Sequence, residues 1–255
     1  MNLFGLVPYP LELWQWAAII FSSICFGISK TGLSGISIVA VPLFALVFGA
    51  RESTGVVLPL ICFADFFAVI YYRRHAQWKY IGRLIPWALA GFALALGADH
   101  FISSNRGFKI LIGICIVAGL AVMVWNERRN AGGTEPPSGL WFSAVFGIMG
   151  GFSTMIGNAA GPIMSVFLLS VRLPKERFVG TAAWFFLIVN YLKIPLQALV
   201  WRNISIPTLR FDLVLIPFIL LGIWLGILFV KKVSNSQYRM AVYVLTLLSA
   251  ALLFL

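Results

Sequence analysis

Long apolar runs separated by short polar gaps organise this chain. Ten runs stand out, at roughly residues 13–28, 33–48, 54–72, 82–98, 108–125, 139–152, 156–171, 178–200, 212–230 and 239–255. Their length and composition predict helices, because the lipid core has no water for unpaired backbone groups and does not tolerate an open sheet edge. Runs one, two, six and seven are short, at about 14–16 residues. Such a helix reaches about 21–24 Å against a hydrocarbon core of about 30 Å. The short runs form two adjacent pairs, each joined by a Gly- and Ser-rich stretch rather than a charged loop. Each pair reads as a re-entrant hairpin or as two spans that meet at a broken turn. Both readings preserve the side on which the next gap falls.

The gaps carry the charge, and its sign orients the chain. With the N-terminus outside and every run crossing, the cytoplasmic gaps hold 13 Lys and Arg against 5 in the outer gaps. The bias predicts both termini outside. Apolar residues make up 61% of the 255 and charged residues 11%, far from the balance of a water-soluble domain. The formal charge of +11 needs no nucleic-acid partner, because the basic residues sit in the gaps where orientation signals belong. The implied surroundings are membrane lipid. Cys25, Cys62 and Cys115 lie inside apolar runs and read as small apolar fillers. With only His75 and His100 besides, no metal-ligand spacing exists, and neither a metal nor another cofactor is expected. No Lys or Arg precedes Lys30, so the first run is expected to be a retained helix rather than a signal peptide.

The chain also resembles itself. Leu84-Ile85-Pro86-Trp87 matches Leu215-Ile216-Pro217-Phe218, and at the same offset of 131 Leu89, Gly91, Leu94 and Ser103 meet Leu220, Gly222, Leu225 and Ser234. Gly27 and Pro42 match Gly147 and Pro162 at an offset of 120. Five runs per half is an odd number, so the halves are expected to be inverted, an architecture of transporters with substrate held near the midplane. The expected fold is all-α and polytopic: one transmembrane domain over 1–255, with repeat one at about 12–126, a linker at about 127–137 and repeat two at about 138–255.

Polar chemistry enters the apolar pattern at matched places. Between runs one and two stand Gly27, Ser29, Lys30, Thr31, Gly32, Ser34, Gly35 and Ser37. Between runs six and seven stand Ser153, Thr154, Gly157, Asn158, Gly161 and Pro162. Glycines let the backbone break or approach a ligand. Helix N-termini freed by a break attract anions, and hydroxyls and the Asn158 amide can donate to an oxyanion. Close helix packing through small residues explains some of these glycines but not Lys30. Lys30 reads either as a lysine snorkelling to the cytoplasmic face or as a buried cation. Asp65 lies midway along run three, in the place that Asn190 takes in run eight when Arg51-Glu52 with Gly55 is set against Lys175-Glu176 with Gly180; an acid there is costly and is a candidate for carrying a coupling proton or for pairing with a Lys. The alternative is a protonated acid bonded to a neighbouring helix. Asn190, Lys193 and Gln197 share one face of run eight by their spacing. Lys193 has an outward-snorkelling alternative as well. Trp78, Trp87, Trp125, Trp141 and Trp201 read as interfacial anchors.

The strings Ser29-Lys30-Thr31-Gly32, Arg51-Glu52-Ser53-Thr54-Gly55, Tyr71-Tyr72-Arg73-Arg74-His75, Asn158-Ala159-Ala160-Gly161-Pro162 and Gly180-Thr181-Ala182-Ala183-Trp184-Phe185 resemble the TauE/SafE family of sulfite exporters. The resemblance spans nearly the whole chain, with Ser34 and Ser153 where Pro or Thr would be equally expected. It implies a bacterial cytoplasmic-membrane transporter of a small anion such as sulfite or a sulfonate, driven by an ion gradient. The expected substrate-binding set is then Ser29, Lys30, Thr31, Gly32, Ser34, Gly35, Ser153, Thr154, Gly157, Asn158, Gly161, Asn190 and Lys193, with Asp65 as the coupling candidate. A passive anion channel and a membrane-embedded enzyme are the alternatives. The enzyme has little support, since no paired acid, metal cluster or nucleophile elbow is present.

Overall fold

A computed structural model describes residues 10–99 and 139–253, with four single positions at 114, 117, 118 and 121. Nine α-helices lie among the described residues: α1 (Leu13–Thr31), α2 (Ser37–Phe48), α3 (Ala50–Tyr72), α4 (Trp78–Asp99), α5 (Leu140–Gly157), α6 (Gly161–Ser170), α7 (Lys175–Pro195), α8 (Ile206–Lys232) and α9 (Asn235–Leu253). A π-helical turn, Leu196–Val200, follows Pro195 at the end of α7. Apart from positions 114, 117, 118 and 121, run five lies outside the described residues, as do the linker, His100, Ser103, Cys115, Trp125 and both extreme termini. Helices α3, α4, α5, α8, and α7 with its π-turn, are each long and apolar enough to cross a membrane. The short apolar helices α2 and α6 follow the two polar breaks.

Both polar breaks lie further along the chain than predicted, and α8 starts at Ile206 rather than near 212. Helix α1 continues through Lys30 to Thr31, and α5 continues through Ser153 and Thr154 to Gly157. A small hydroxyl residue is compatible with a helix because it can return a hydrogen bond to the preceding turn. Thr31 Oγ1 donates to the Gly27 carbonyl at 2.9 Å, for example. The chain breaks only at 32–36 and 158–160. At the second break Asn158 takes a left-handed φ of 52°, a conformation that Asn tolerates better than most residues.

Helix pairing cuts across the middle of the sequence. Helix α1 packs lengthwise on α8, and α4 on α5. A Cβ on Gly27 would lie 2.3 Å from the Ile219 carbonyl oxygen, and one on Gly222 2.1 Å from that of Ile24. Gly226 faces Thr31 and Gly32 one turn further along, so the contacts advance together and α1 and α8 are parallel. The α4–α5 seam is built the same way. Gly91 faces Ile148 and Phe152, while Gly147 and Gly151 face Leu84 and Ala88. Small residues at such seams let backbones touch, which drives association where lipid removes the hydrophobic incentive. The apolar packing follows the same exchange. Phe211, Leu215, Ile219 and Ile223 of α8 are buried with α1–α3, whereas Leu84, Ala88 and Phe92 of α4 are buried with α5–α7. Between these two bodies α3 and α7 lie antiparallel, with Thr54 against Gln197, Asp65 against Asn190 and Tyr72 against Gly180.

Candidate functional site

The ends of four helices meet the middles of two. The C-terminal ends of α1 and α5 and the N-terminal ends of α2 and α6 converge on the centres of α3 and α7. A small cavity there is lined by Phe26, Ser29, Lys30, Ser37, Ile61, Thr154, Asn158, Gly161 and Phe186. It has room for about one water-sized molecule. The two breaks touch: a Cβ on Gly161 would lie 2.2 Å from the Ser34 carbonyl oxygen. Only glycine permits that approach. Neither α2 nor α6 has a side-chain cap, so the partial positive charge of both N-termini faces this region without a side-chain acceptor.

Lys30 does not snorkel to the surface. Its side chain is 10% exposed, and its ammonium lies 3.0 Å from Asp65 Oδ1 and 3.1 Å from Oδ2. It also sits 4.2 Å from the centre of the Phe186 ring, within cation–π range. Asp65 is fully buried, and its Oδ2 accepts a second hydrogen bond from Asn190 Nδ2 at 2.6 Å. The residues that the repeat alignment matches, Asp65 and Asn190, are therefore in direct contact. A neutral acid bonded only to its neighbour helix is not the arrangement observed, because the Lys30 ammonium faces both carboxylate oxygens.

Lys193 is fully buried too, rather than reaching outward. It donates to the Thr154 carbonyl at 2.8 Å, to Thr154 Oγ1 at 3.4 Å and to Asn158 Oδ1. Three oxygens thus surround it, one for each N–H of an ammonium, and none belongs to a carboxylate. The contact with Asn158 Oδ1 fixes the orientation of that amide, whose Nδ2 donates to the Thr54 carbonyl at 3.2 Å. One N–H of Asn158 Nδ2 suffices for that bond. From Thr54 the polar chain continues toward the N-terminal end of α3. Thr54 Oγ1 donates to the Arg51 carbonyl at 2.7 Å and lies 3.2 Å from Gln197 Oε1, and Asn203 Nδ2 donates to Thr54 Oγ1 and to the Arg51 carbonyl, both at 3.0 Å.

The expected residues divide by what they touch. Ser29, Lys30, Thr154, Asn158 and Gly161 line the cavity, and Asp65, Asn190 and Lys193 bond to its lining or to each other. Ser34 supplies the carbonyl that accepts from the Ser29 and Ser37 hydroxyls. Others serve packing. Thr31 bonds across to the Ile223 carbonyl, Gly32 faces Gly226, and Gly35 faces Leu245 of α9. Ser153 Oγ is buried without a hydrogen-bond partner, and it and Gly157 lie in the last turns of α5 away from the lining. Phe26, Ile61 and Phe186 were not expected, because an aromatic or aliphatic residue in an apolar run gives no sign of facing a cavity. Thr54 and Asn203 were missed as network members for a related reason: their partners lie more than a hundred residues away. Cys25 and Cys62 are buried free thiols, as fillers should be. No group of His, Cys, Asp and Glu among the described residues could hold a metal ion.

Residues 19–253 match the family model described as "Sulfite exporter TauE/SafE". No match was found among curated proteins or among solved structures.

Proposed function

The chain belongs to the TauE/SafE sulfite exporter family, and from that premise we propose that it is a secondary transporter exporting sulfite or an organosulfonate across the bacterial cytoplasmic membrane. Its apolar helices and its family support a multi-pass membrane transporter over an enzyme. The observation that carries the anion reading is the convergence at one buried cavity of the Lys30 ammonium and the uncapped N-termini of α2 and α6. Freed backbone N–H groups and a lysine in a poorly hydrated site suit an oxyanion. The second Nδ2 hydrogen of Asn158 and the hydroxyls of Ser29 and Ser37 add donors once they turn from their present acceptors. The cavity holds about one water, so it must widen to admit an anion of four or more heavy atoms. It corresponds to a closed state of an alternating-access cycle.

Two inverted repeats underlie this proposal. The seams support them. If α1 and α5 are mates, and α4 and α8 are mates, exchange of the halves turns the α1–α8 pair into the α5–α4 pair. Both pairs are parallel and glycine-lined, and α3 and α7, the third mates, meet each other antiparallel. Run five brings the first half to five segments, matching α5–α9 of the second; ten segments put both termini on one side, and the charge bias makes that side the outside. A reporter active only in the cytoplasm, fused after Leu255, is expected to be silent, and an active fusion overturns this topology.

Anion binding is tested by calorimetry on the purified protein with sulfite and methanesulfonate. Removing one charge-assisted hydrogen bond costs about 1.5–3 kcal/mol, so Lys30→Met should weaken binding roughly ten- to a hundredfold. Lys30→Arg should not restore it, since a planar fork replaces a compact ammonium. Equal affinities in all three proteins would remove Lys30 from the site. Asp65 is the candidate for the coupling proton. In proteoliposomes Asp65→Asn should end the response of sulfite transport to a pH gradient while anion binding persists, and an unchanged response would remove Asp65 from coupling.

A further inference from the structure

The charges around the cavity do not cancel, and their imbalance specifies what the cargo must carry. Lys30 and Lys193 are two ammonium groups, and Asp65 is the one carboxylate bonded among them. Helix α2 and helix α5, which also bear on the site, contain no ionisable residue. Those of α8, Arg210, Asp212, Lys231 and Lys232, stand in its first two and last turns. The groups that act on Asp65 are Lys30 from α1, Lys193 and Tyr191 from α7, and Cys62 from its own helix. With the thiol and the phenol neutral and Lys30, Lys193 and Asp65 ionised, the closed site holds one net positive charge. In an interior where an uncompensated charge is costly, the favoured filling is the one that brings the site to neutrality.

Resting on the proposed anion-transport reading, we infer that the site loads one net negative charge per cycle: a monoanion binds alone, and a dianion binds only together with one proton, which is held on Asp65. The step balances. A proton from water converts the Asp65 carboxylate to a carboxylic acid, and Lys30 loses its counter-charge. Lys30 and Lys193 then face the dianion with two positive charges against two negative ones. A monoanion requires no such change, because Asp65 already offsets one of the two lysines. The position of Asp65 suits this role. The Lys30 ammonium that lines the cavity is the one bonded to Asp65, so cargo and carboxylate compete for the same donor. The proton thereby becomes an obligatory companion of the second negative charge rather than of the anion as such.

The experiment compares two tetrahedral-headed anions whose charges do not change near neutral pH, methanesulfonate with one charge and sulfate with two. Binding to the purified full-length protein is measured by calorimetry from about pH 8 to about pH 6. Methanesulfonate affinity should stay flat, and sulfate affinity should rise about tenfold per pH unit as pH falls, the slope of one linked proton. Asp65→Asn, which mimics the protonated acid, should make sulfate binding independent of pH and tighter than in the wild type at about pH 8. Lys193→Met leaves Lys30 and Asp65 to cancel each other, so methanesulfonate affinity should now rise about tenfold per pH unit as pH falls and sulfate affinity should drop sharply. Equal pH slopes for the two anions in the wild type would overturn the inference, as would an unchanged sulfate-to-methanesulfonate preference in Asp65→Asn. The wild-type slopes decide the matter even if a variant fails to fold. If wild-type protein binds neither of these anions nor sulfite, the anion-transport reading itself falls. If it binds them with the same pH dependence, only the charge rule falls.

Discussion

Removing Lys30 should leave a buried charge behind, and the structure sets the size of the effect. The Lys30–Asp65 pair spans 3.0 Å with the carboxylate fully buried. At an effective dielectric constant of about 20, that separation corresponds to about 5 kcal/mol of attraction, much of it offset by the cost of removing both groups from water. Breaking such a pair by truncating one partner costs about 3–5 kcal/mol, because the other charge stays buried. Lys30→Met should therefore destabilise the protein by about that amount. Asp65→Asn should cost less, about 1–3 kcal/mol. Its amide still has Asn190 as a hydrogen-bond partner, and Lys30 keeps the Phe186 ring at 4.2 Å. The double variant leaves no charge of the pair and should be more stable than Lys30→Met alone. The measurement is reversible unfolding in detergent micelles for all four proteins, combined as a double-mutant cycle. A double variant whose loss equals the sum of the two single losses would show that Lys30 and Asp65 do not interact, and would refute the pairing on which the site is built.

Gly27→Ala should destabilise by about 1–3 kcal/mol in the same unfolding assay, since its Cβ meets α8 backbone at 2.3 Å. Gly82→Ala, where a Cβ meets nothing within 4 Å, should be neutral or stabilise by up to about 1 kcal/mol. Lys175 donates to the Val230 and Val233 carbonyls at 2.7 and 2.6 Å, capping the C-terminal end of α8. Lys175→Met should lower stability by about 1–3 kcal/mol and leave anion affinity within about twofold of the wild type, as read by calorimetry.

Hydrophobic run length identified most of the described helices, because segment length in lipid is set by bilayer thickness and needs no tertiary information. The broken pairs were legible as well, from Gly and Ser in place of a charged loop. Where the breaks fall was not. Thr31, Ser153 and Thr154 look like loop residues in a string, yet small hydroxyl residues are compatible with either state, with the Oγ bonded back to its helix at Thr31 and unpartnered at Ser153. Lys30 illustrates the same limit. A lysine five residues beyond Cys25 at the end of an apolar run can turn to the interface or inward, and only the position of Asp65 on another helix decides. The pairing of Asp65 with Asn190 was foreshadowed by their matched places in the two halves. Phe186 and Ile61 left no sign, because cavity-facing and lipid-facing apolar residues have the same chemistry.

The glycine seams also bear on how the protein is made. Gly27 and Gly222 touch across 195 residues of chain. During synthesis α1 enters the bilayer before α8 and waits for it until all the helices between them have emerged. Until then its small-residue face has only lipid or the insertion machinery to lie against. Lys30 waits with it, on the last turn of a helix whose packing surface is not yet built. Late contacts of this kind slow assembly and prolong the exposure of unfinished surfaces. Chains that stop short of α8 carry Lys30 and Asp65 but lack the helix that seats α1, so quality-control proteases should meet truncated chains with α1 unseated.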